Sequence, residues 1–436
     1  MTEPTLIRAR WVVPVEPAGA ELVDHAVVVR DGLIEALLPG AEAAARYPGA
    51  DSVNLPGHAL IPGLVNAHTH AAMTLMRGLA DDLPLMRWLQ EHIWPAETKH
   101  VSPEFVHDGT LLACAEMLRG GVTCFNDMYF FPQSAVDAAL EAGMRASIGM
   151  IVIEFPSAYA SDPEDYLAKG LAVRDRHREH PLLSFCLAPH APYTVSDATF
   201  GRIATIAGEL DCPVHIHLHE TGDEIARSIA EHGARPLQRL HRLGLLGPNL
   251  IAVHSAHLTA DEIVLLARHK ASVAHCPSSN LKLASGFAPV AALAAAGVNV
   301  ALGTDGAASN NRLDVLQELR TAALLAKAVA GDAAAFPAHA ALRGATLGGA
   351  IALGLDRRIG SIVPGKSADL TAVCLDAPEL SPVYNAVSQL VYAAGREHVS
   401  HVWIAGKLAV GEGKLQNSCF ADLDSRWKLW QNRVRT

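Results

Sequence analysis

The sequence predicts an α/β fold in which a (β/α)8 TIM barrel is joined to a small β-sandwich domain built from both termini. Between about residues 59 and 345, eight apolar strand-like runs alternate with Ala- and Leu-rich helical segments, as is typical of parallel βα units. The two ends of the chain instead show the short alternating pattern of antiparallel strands. At 436 residues, the chain is long enough for a barrel of roughly 250 residues and a smaller module.

The N-terminal region, residues 6–57, alternates short apolar and polar runs, with turn signals at Asp31-Gly32 and Pro39-Gly40. This spacing predicts β-hairpins. The same pattern returns in residues 369–375 and 401–407. We therefore expect a small β domain from residues 1–58 and 361–436, the latter ending in a helical tail, around a barrel at 59–360.

The middle region contains eight predicted strands, a number that favours a closed barrel over an open doubly wound sheet. No Gly-x-Gly-x-x-Gly follows the first strand, so a dinucleotide-binding fold has no support. The predicted strands are 59–68, 122–128, 145–153, 182–189, 213–219, 250–256, 271–276 and 298–304. The helical segments between them include 103–119, 133–142, 196–209, 259–268 and 312–329.

Composition and charge favour a soluble, cytoplasmic protein that acts on a small molecule. No apolar run reaches the roughly 18–20 residues of a membrane-spanning helix, and the N-terminus lacks a signal-peptide pattern. The seven cysteines are scattered without a Cys-x-x-Cys motif, which argues against a disulfide framework or a thiolate zinc site. The net charge of −10, without a long basic run, favours a neutral or zwitterionic substrate over nucleic acid or an anionic membrane.

The first predicted barrel strand ends in His68-Thr69-His70, a pattern that indicates a metal site. Side chains alternate along a strand, so both imidazoles face one side, where they can bind a divalent metal. The alternative is that one histidine caps the strand and the other packs in the core or lies on the surface. Four later runs also end in polar groups, and the strand ends of a parallel barrel share one rim. These runs are residues 182–190, 213–220, 250–257 and 299–305.

In sequence order, these strand ends resemble the amidohydrolase superfamily, and most closely its deaminase and chlorohydrolase branch. The resemblance covers nearly the whole chain, including the split β domain. The motifs that carry it are Pro62-Gly63-Leu64-Val65-Asn66-Ala67-His68-Thr69-His70, His215-Ile216-His217-Leu218-His219-Glu220-Thr221, His254-Ser255-Ala256-His257-Leu258 and Leu302-Gly303-Thr304-Asp305-Gly306-Ala307-Ala308-Ser309-Asn310-Asn311.

The resemblance implies a single divalent metal ion with four ligands, which are His68, His70, His217 and Asp305. Alternation alone does not choose among the three histidines of the 213–219 strand, and the resemblance leaves His215 and His219 as packing or supporting residues. Two-metal members place a carboxylated lysine at the end of the fourth strand, where residues 182–190 contain no lysine, so one metal is favoured. Zinc is the default ion, and iron or manganese accept the same ligands.

The resemblance also implies catalytic roles for three residues. Glu220 is expected to donate a proton to a ring nitrogen of the substrate, although a carboxylate there can instead stabilise the N-terminus of the following helix. His254 is expected to polarise the attacking water or the developing charge. Asp305 is expected to take the proton of the water. The alternative reading of Asp305 is that its carboxylate only stabilises the turn before Gly306. His257, on the opposite strand face, is expected to be structural.

Several further residues match substrate-contacting positions of the family's methylthioadenosine and S-adenosylhomocysteine deaminases. There, an aromatic residue packs on the ligand and a carboxylate binds the ribose hydroxyls, which implies these roles for Trp88 and Glu97. A tryptophan in an amphipathic helix is as readily a core residue. Ser309 matches the position that faces the purine ring, and the resemblance implies that Glu220 contacts the same ring.

Two other substrate contacts are expected at His190 and Arg145. His190 either faces the substrate or caps the turn that follows it. Arg145 matches a residue that meets the amino-acid carboxylate of a homocysteine tail, but the family's second arginine has no clear counterpart in residues 149–154. This departure weakens the expectation of tight binding to that tail.

Together these features imply hydrolytic deamination of the adenine ring of methylthioadenosine, S-adenosylhomocysteine or a related adenosine. The alternatives are a triazine-type chlorohydrolase, a deaminase of another heterocycle such as guanine or cytosine and, more remotely, a noncatalytic barrel that binds a metal or small ligand. Members of this branch often form dimers or tetramers, so a homo-oligomer is a further expectation, although no residue of the sequence identifies an interface.

Overall fold

Two eight-stranded sheets organise the computed structural model, which describes residues 3–435. The strands in chain order are β1 (Thr5–Val12), β2 (Leu22–Arg30), β3 (Leu33–Pro39), β4 (Asp51–Pro62), β5 (Leu64–Thr69), β6 (Val122–Asp127), β7 (Arg145–Val152), β8 (Leu183–Pro189), β9 (Val214–Leu218), β10 (Leu250–His254), β11 (Ser272–His275), β12 (Asn299–Leu302), β13 (Leu370–Cys374), β14 (Val399–Ile404), β15 (Lys407–Gly411) and β16 (Lys414–Leu415).

The helices connect and cover the strands. In chain order they are α1 (Gly40–Arg46), α2 (Leu85–Trp88), α3 (Trp94–His100), α4 (Pro103–Arg119), α5 (Pro132–Ala142), α6 (Pro163–His177), α7 (Asp197–Leu210), α8 (Gly222–His232), α9 (Pro236–Arg242), α10 (Ala260–His269), α11 (Pro277–Lys282), α12 (Val290–Ala295), α13 (Val315–Ala330), α14 (Ala338–Arg343), α15 (Gly349–Ala352), α16 (Ala386–Tyr392) and α17 (Leu423–Arg435). Single π-helical turns at Leu89–Ile93 and Gly344–Gly348 join α2 to α3 and α14 to α15.

The parallel sheet, in the order β5 to β12, confirms the predicted barrel. Its two edges meet through Asn66 on β5 and the chain after β12. The Asn66 carboxamide accepts from the Thr304 backbone N–H at 3.0 Å and donates to its hydroxyl at 2.8 Å. The Asp305 backbone N–H donates to the carbonyl of His68 at 3.0 Å. These bonds close the cylinder at the rim where the strands end.

The predicted first barrel strand, 59–68, is divided in the structure. Residues up to Pro62 belong to β4 of the other sheet, and the barrel begins at β5. The break is at Gly63, where a Cβ atom would lie 2.1 Å from the Thr123 hydroxyl. Only glycine fits this close approach, and it lets the chain pass from one sheet to the other. The domain boundaries themselves stay a prediction.

The second sheet contains strands from both ends of the chain, in the order β16-β15-β14-β13-β4-β1-β2-β3. The predicted β domain built from both termini is therefore confirmed. One face buries an apolar cluster that draws on strands from both ends, including Ile7, Val27, Leu60, Leu370 and Trp403. This burial couples the two ends of the chain to each other.

Local sequence explains where the barrel helices begin. Ser102, Ser196 and Thr259 precede α4, α7 and α10, and each accepts a hydrogen bond from the backbone N–H three residues later. Such caps satisfy backbone donors that lack a partner in the helix. The predicted helical tail is α17, whose Trp430 donates to Asp108 of α4 at 2.9 Å. Within residues 3–435, no helix combines the length and apolar character needed to span a membrane.

Candidate active site

Polar side chains from four barrel strand ends converge at one rim. The Nε2 atoms of His68 and His70 each lie 3.3 Å from Oδ1 of Asp305. One nitrogen each of His68, His217 and His254 forms a second group with all atoms within 4.8 Å of one another. His68 belongs to both groups, so the structure brings five potential metal ligands together. Four of them are the predicted ligands, and the fifth is the predicted catalytic histidine.

The Nδ1 atoms of these histidines are held by hydrogen bonds. His70 donates to the Met128 carbonyl at 2.6 Å, and His217 donates to the His190 carbonyl at 2.7 Å. His68 Nδ1 shares a 2.9 Å hydrogen bond with Nε2 of His215, which is thereby a supporting residue, as predicted from the resemblance. With Nδ1 engaged in this way, Nε2 is the ring atom that remains to bind a metal.

The donor set fits a divalent transition-metal ion. His68 is fully buried, and its Nε2 has no hydrogen-bond partner among the described residues. Burial lowers the pKa of His68 to about 4 and holds the pKa of His217 well below its usual range, so both imidazoles are neutral near pH 7. Neutral imidazoles and a carboxylate are ligands that zinc prefers. A bound ion would also give the buried Nε2 of His68 the partner that it lacks.

Asp305 is fixed by two hydrogen bonds. Oδ1 accepts from the Gly306 backbone N–H at 2.7 Å, and Oδ2 accepts from the Ser279 hydroxyl at 2.6 Å. Its φ of 62° is unusual for an aspartate and turns the chain sharply just after β12. Burial alone would raise the pKa of Asp305, but the contact with the His68 ring and the charges of the neighbouring histidines hold that pKa well below its usual range. The carboxyl group is therefore ionised.

Glu220 faces the cavity and does not cap the helix that follows it. The helix cap is Thr221, and the backbone N–H groups of His219 and Glu220 are satisfied by Glu224, at 3.0 and 2.8 Å. The carboxyl group of Glu220 itself lies 3.8 Å from Nε2 of His254 and 3.5 Å from the Ser285 hydroxyl. Burial raises its pKa above the usual value, which makes the protonated form more accessible than in an exposed carboxyl group. This geometry supports the proton-donor reading over the helix-cap reading.

His254 is oriented by Asn280, the last-but-two residue of α11. Its Nδ1 donates to the Asn280 carboxamide oxygen at 2.9 Å, which points Nε2 toward Glu220. The residue lies at the end of β10 with a φ of 65°. His257 instead bonds through Nε2 to the carbonyl of Ser285 at 2.5 Å. That contact fits the structural role expected of His257.

The polar cluster forms one end of a cavity of about 440 Å³. Its lining includes the predicted substrate contacts Trp88, Glu97, His190, Glu220 and Ser309. The indole N–H of Trp88 donates to the Ala80 carbonyl at 3.2 Å, and the side chain is only 5% exposed. Trp88 thus both packs in the core and borders the cavity.

Glu97 is held by a residue that the sequence did not single out. Tyr129 donates its hydroxyl proton to Glu97 at 2.8 Å. Burial raises the pKa of Glu97 to about 7, against the lowering effect of that hydrogen bond. His190 bonds through Nδ1 to the Thr194 hydroxyl at 3.0 Å, which is the turn-capping contact, while its ring also borders the cavity. The turn-capping contact of His190 is therefore present, and its contact with the substrate stays a prediction.

Relationships to known proteins agree with this geometry. A sequence profile of the amidohydrolase family matches residues 59–409. The chain belongs to the amidohydrolase family. A relative from Teredinibacter turnerae, a 5-methylthioadenosine/S-adenosylhomocysteine deaminase, is 49% identical over 98% of this chain and 96% of its own length.

Two solved structures extend the comparison. An adenosine deaminase from Xanthomonas campestris, crystallised with bound zinc, has a TM-score of 0.98 and 55% identity, covering 99% of this chain and 98% of its own. An atrazine chlorohydrolase from Arthrobacter aurescens has a TM-score of 0.91 but 22% identity, over 98% of this chain and 100% of its own. The second likeness shows that the two proteins share a fold.

Arg145 does not contact the active site of this amidohydrolase, and its predicted role in substrate binding is wrong. It is the first residue of β7, whereas the cavity is lined at the opposite end of that strand. The lining residues there are Ile151, near the end of β7, and Ile153, just after it. Its guanidinium pairs with the buried Asp369 at 2.8 Å and donates to the Pro181 carbonyl at 2.8 Å. Arg145 therefore fastens the barrel to the β domain.

Sequence reasoning also missed several residues that support the amidohydrolase site. Ser279 and Asn280 lie on α11, just after β11, and the sequence pattern of strand ends in polar groups extends to them. The same rule, applied to the predicted strand 271–276, would have found them. Tyr129 carries no comparable signal, because its role depends on a contact with Glu97 from a separate segment of the chain. Glu224 bonds to backbone N–H groups only four and five residues before it, which is a local pattern at the start of α8.

Proposed function

We propose that this amidohydrolase uses one divalent metal ion, zinc by default, to deaminate the adenine ring of 5′-methylthioadenosine, S-adenosylhomocysteine or a related adenosine. The products are the inosine analogue and ammonia. The observation that carries the proposal is that Glu220, His254 and Asp305 border the same cavity as Trp88 and Glu97. The names of the relatives support the same reaction. A cytoplasmic location and a homo-oligomeric state remain predictions from the sequence.

The proposed metal ligands are His68, His70, His217 and Asp305. Anchored Nδ1 atoms leave Nε2 of each histidine free for the ion. His254 is left out of the set because its Nε2 also faces Glu220, on the side of the substrate. When bound, the ion supplies the Lewis acidity that makes a water molecule acidic near neutral pH.

The protein's own residues then move protons at defined positions. Ionised Asp305 accepts the proton of the water that attacks the ring carbon bearing the amine. Protonated Glu220 donates to the adjacent ring nitrogen, and Nε2 of His254 stabilises the charge that develops beside it. Ammonia leaves after a proton returns to the amino group. Farther along the cavity, next to Tyr129, Glu97 is suited to accept hydrogen bonds from ribose hydroxyls.

A substrate screen on protein of known metal content tests the proposal. The panel contains methylthioadenosine, S-adenosylhomocysteine, adenosine, guanine, cytosine and a chlorotriazine, with ammonia and chloride release as readouts. We expect ammonia from at least one of the first three compounds, and none from protein treated with a chelator. A zinc-loaded, folded protein that releases no ammonia from these adenine nucleosides would overturn the proposal, and chloride release would favour the chlorohydrolase alternative.

A further inference from the structure

The cavity changes character along its length. At the metal end, the rings of His70 and Tyr129 have centroids 6.4 Å apart. Tyr129 in turn bonds to Glu97, and Trp94 lies one helical turn before Glu97 on α3. Trp94 contacts Phe155, with ring centroids 6.4 Å apart. The order from the metal outward is therefore imidazoles, then a carboxylate, then two apolar aromatic rings.

We call the outermost part the outer wall and define it by Trp94, Phe155, Pro156 and Ala158, all of which line the cavity. Phe155 is 45% exposed, so this wall lies at the mouth. It offers hydrophobic surface and no charged side chain. An apolar group placed against it gains free energy in proportion to the area removed from water.

The ionisable side chains of the cavity do not favour an anion at the mouth. Among the described residues that line it, the carboxylates are Glu97, Glu220 and Asp305, and there is no lysine or arginine. Lys169, on α6, is engaged elsewhere, because its ammonium donates to the Tyr159 carbonyl at 2.7 Å and to Asp165 at 2.8 Å. A ligand carboxylate at the outer wall would lose water without gaining a cationic partner.

We propose that the outer wall receives an uncharged alkylthio or alkyl substituent on the 5′ carbon of the nucleoside and discriminates against a zwitterionic amino-acid tail. This inference rests on the proposed adenosine deamination. With the adenine at the metal and the ribose at Glu97, the 5′ substituent points outward along the cavity, toward Trp94 and Phe155. A methylthio group then packs on the rings, whereas the ammonium and carboxylate of a homocysteine tail are partly desolvated without partners.

Three substrates of graded polarity test the proposal on the zinc-loaded wild-type enzyme. They are methylthioadenosine, 5′-butylthio-5′-deoxyadenosine and S-adenosylhomocysteine, the last two having 5′ chains of equal length. We expect similar kcat/KM for the two alkylthio compounds, and a value about 30-fold lower or more for S-adenosylhomocysteine, mainly through KM. Equal kcat/KM for all three would overturn the inference and leave the proposed deamination intact. No turnover of any of them would instead refute the proposed function.

A charge introduced into the wall gives an independent check. Phe155→Arg places a cation at the mouth, and Phe155→Leu is the matched control that keeps the wall apolar. We expect Phe155→Arg to reduce the preference for methylthioadenosine over S-adenosylhomocysteine by about tenfold, in a salt-sensitive way, and Phe155→Leu to retain the preference. The ratio of the two substrates cancels any general loss of activity. An unchanged ratio in Phe155→Arg would contradict the assigned position of the 5′ tail.

Discussion

Replacement of Glu220 by glutamine tests the assignment of the proton donor. The substitution keeps the size of the side chain and its place beside His254 but removes the transferable proton. Glu220 is 5% exposed, and among the described residues its carboxyl group makes one hydrogen-bond contact, at 3.5 Å with the Ser285 hydroxyl, so little packing or bonding is lost. Because burial raises the pKa of Glu220, replacing its carboxyl group by a neutral amide removes a charge that burial disfavours. We therefore expect the fold to be retained.

The expected loss of activity follows from the role of a general acid. Proton transfer by a positioned side chain contributes about 10²–10⁴ in rate, which is about 3–5 kcal/mol of transition-state stabilisation. Binding should change less, because the metal ligands and Glu97 are untouched. The variant should therefore lose kcat by two to four orders of magnitude with a near-normal content of bound metal.

The assay is ammonia release from the best substrate, alongside metal analysis and thermal unfolding. Glu231→Gln is the matched control, since it makes the same change on the exposed face of α8, where Glu231 pairs with Arg227. We expect that control to keep near wild-type kcat. Glu220→Gln enzyme with more than about a tenth of wild-type kcat would refute the assigned role, because such a loss is smaller than general-acid catalysis predicts.

Three further outcomes follow from other contacts. Arg145→Met should lower the free energy of unfolding by about 3 kcal/mol without changing KM, because it leaves buried Asp369 unpaired; a raised KM with normal stability would contradict this. Asn280→Ala should reduce kcat about 10- to 100-fold by freeing the His254 ring, whereas Asn280→Asp keeps an acceptor and should lose less. Glu97 has its pKa raised from 4.5 to about 7, so the native state holds a proton that the unfolded state releases, and wild-type stability falls as pH rises between these values. Glu97→Gln removes this titrating group, so about 1–3 kcal/mol of the pH-dependent loss in the free energy of unfolding should disappear. The melting temperature of the variant should therefore exceed that of the wild type by more at pH 8 than at pH 5.

The barrel and its rim could be predicted because their signal is local. Each predicted strand is an apolar run, and a polar residue at its end must lie at the common rim of a parallel barrel. This rule is sufficient to place His68, His70, His217, His254 and Asp305 together. It does not distinguish a metal ligand from its neighbour, since His215 and His217 share a face and differ only in their distance from the rim.

The errors have physical causes as well. Arg145 is the first residue of its strand, so roughly 20 Å of extended chain separate it from the rim, at about 3.3 Å per residue. Resemblance placed it at the substrate, where strand position alone would have placed it at the opposite end of the barrel. The role of Tyr129 depends on how the α3 segment folds over the rim, and no periodicity in the sequence encodes that contact. The division of the first strand at Gly63 depends on the approach of Thr123, which is also a tertiary effect.

The central claim is that four side chains from separated strand ends hold a single cation. A crystal structure of the zinc-loaded protein, with anomalous differences measured on both sides of the zinc absorption edge, tests it most directly. We predict one zinc ion bonded to Nε2 of His68, His70 and His217 and to a carboxylate oxygen of Asp305, at about 2.0–2.2 Å. Two ions in the site, or one ion that leaves His217 or Asp305 unbound, would contradict the claim.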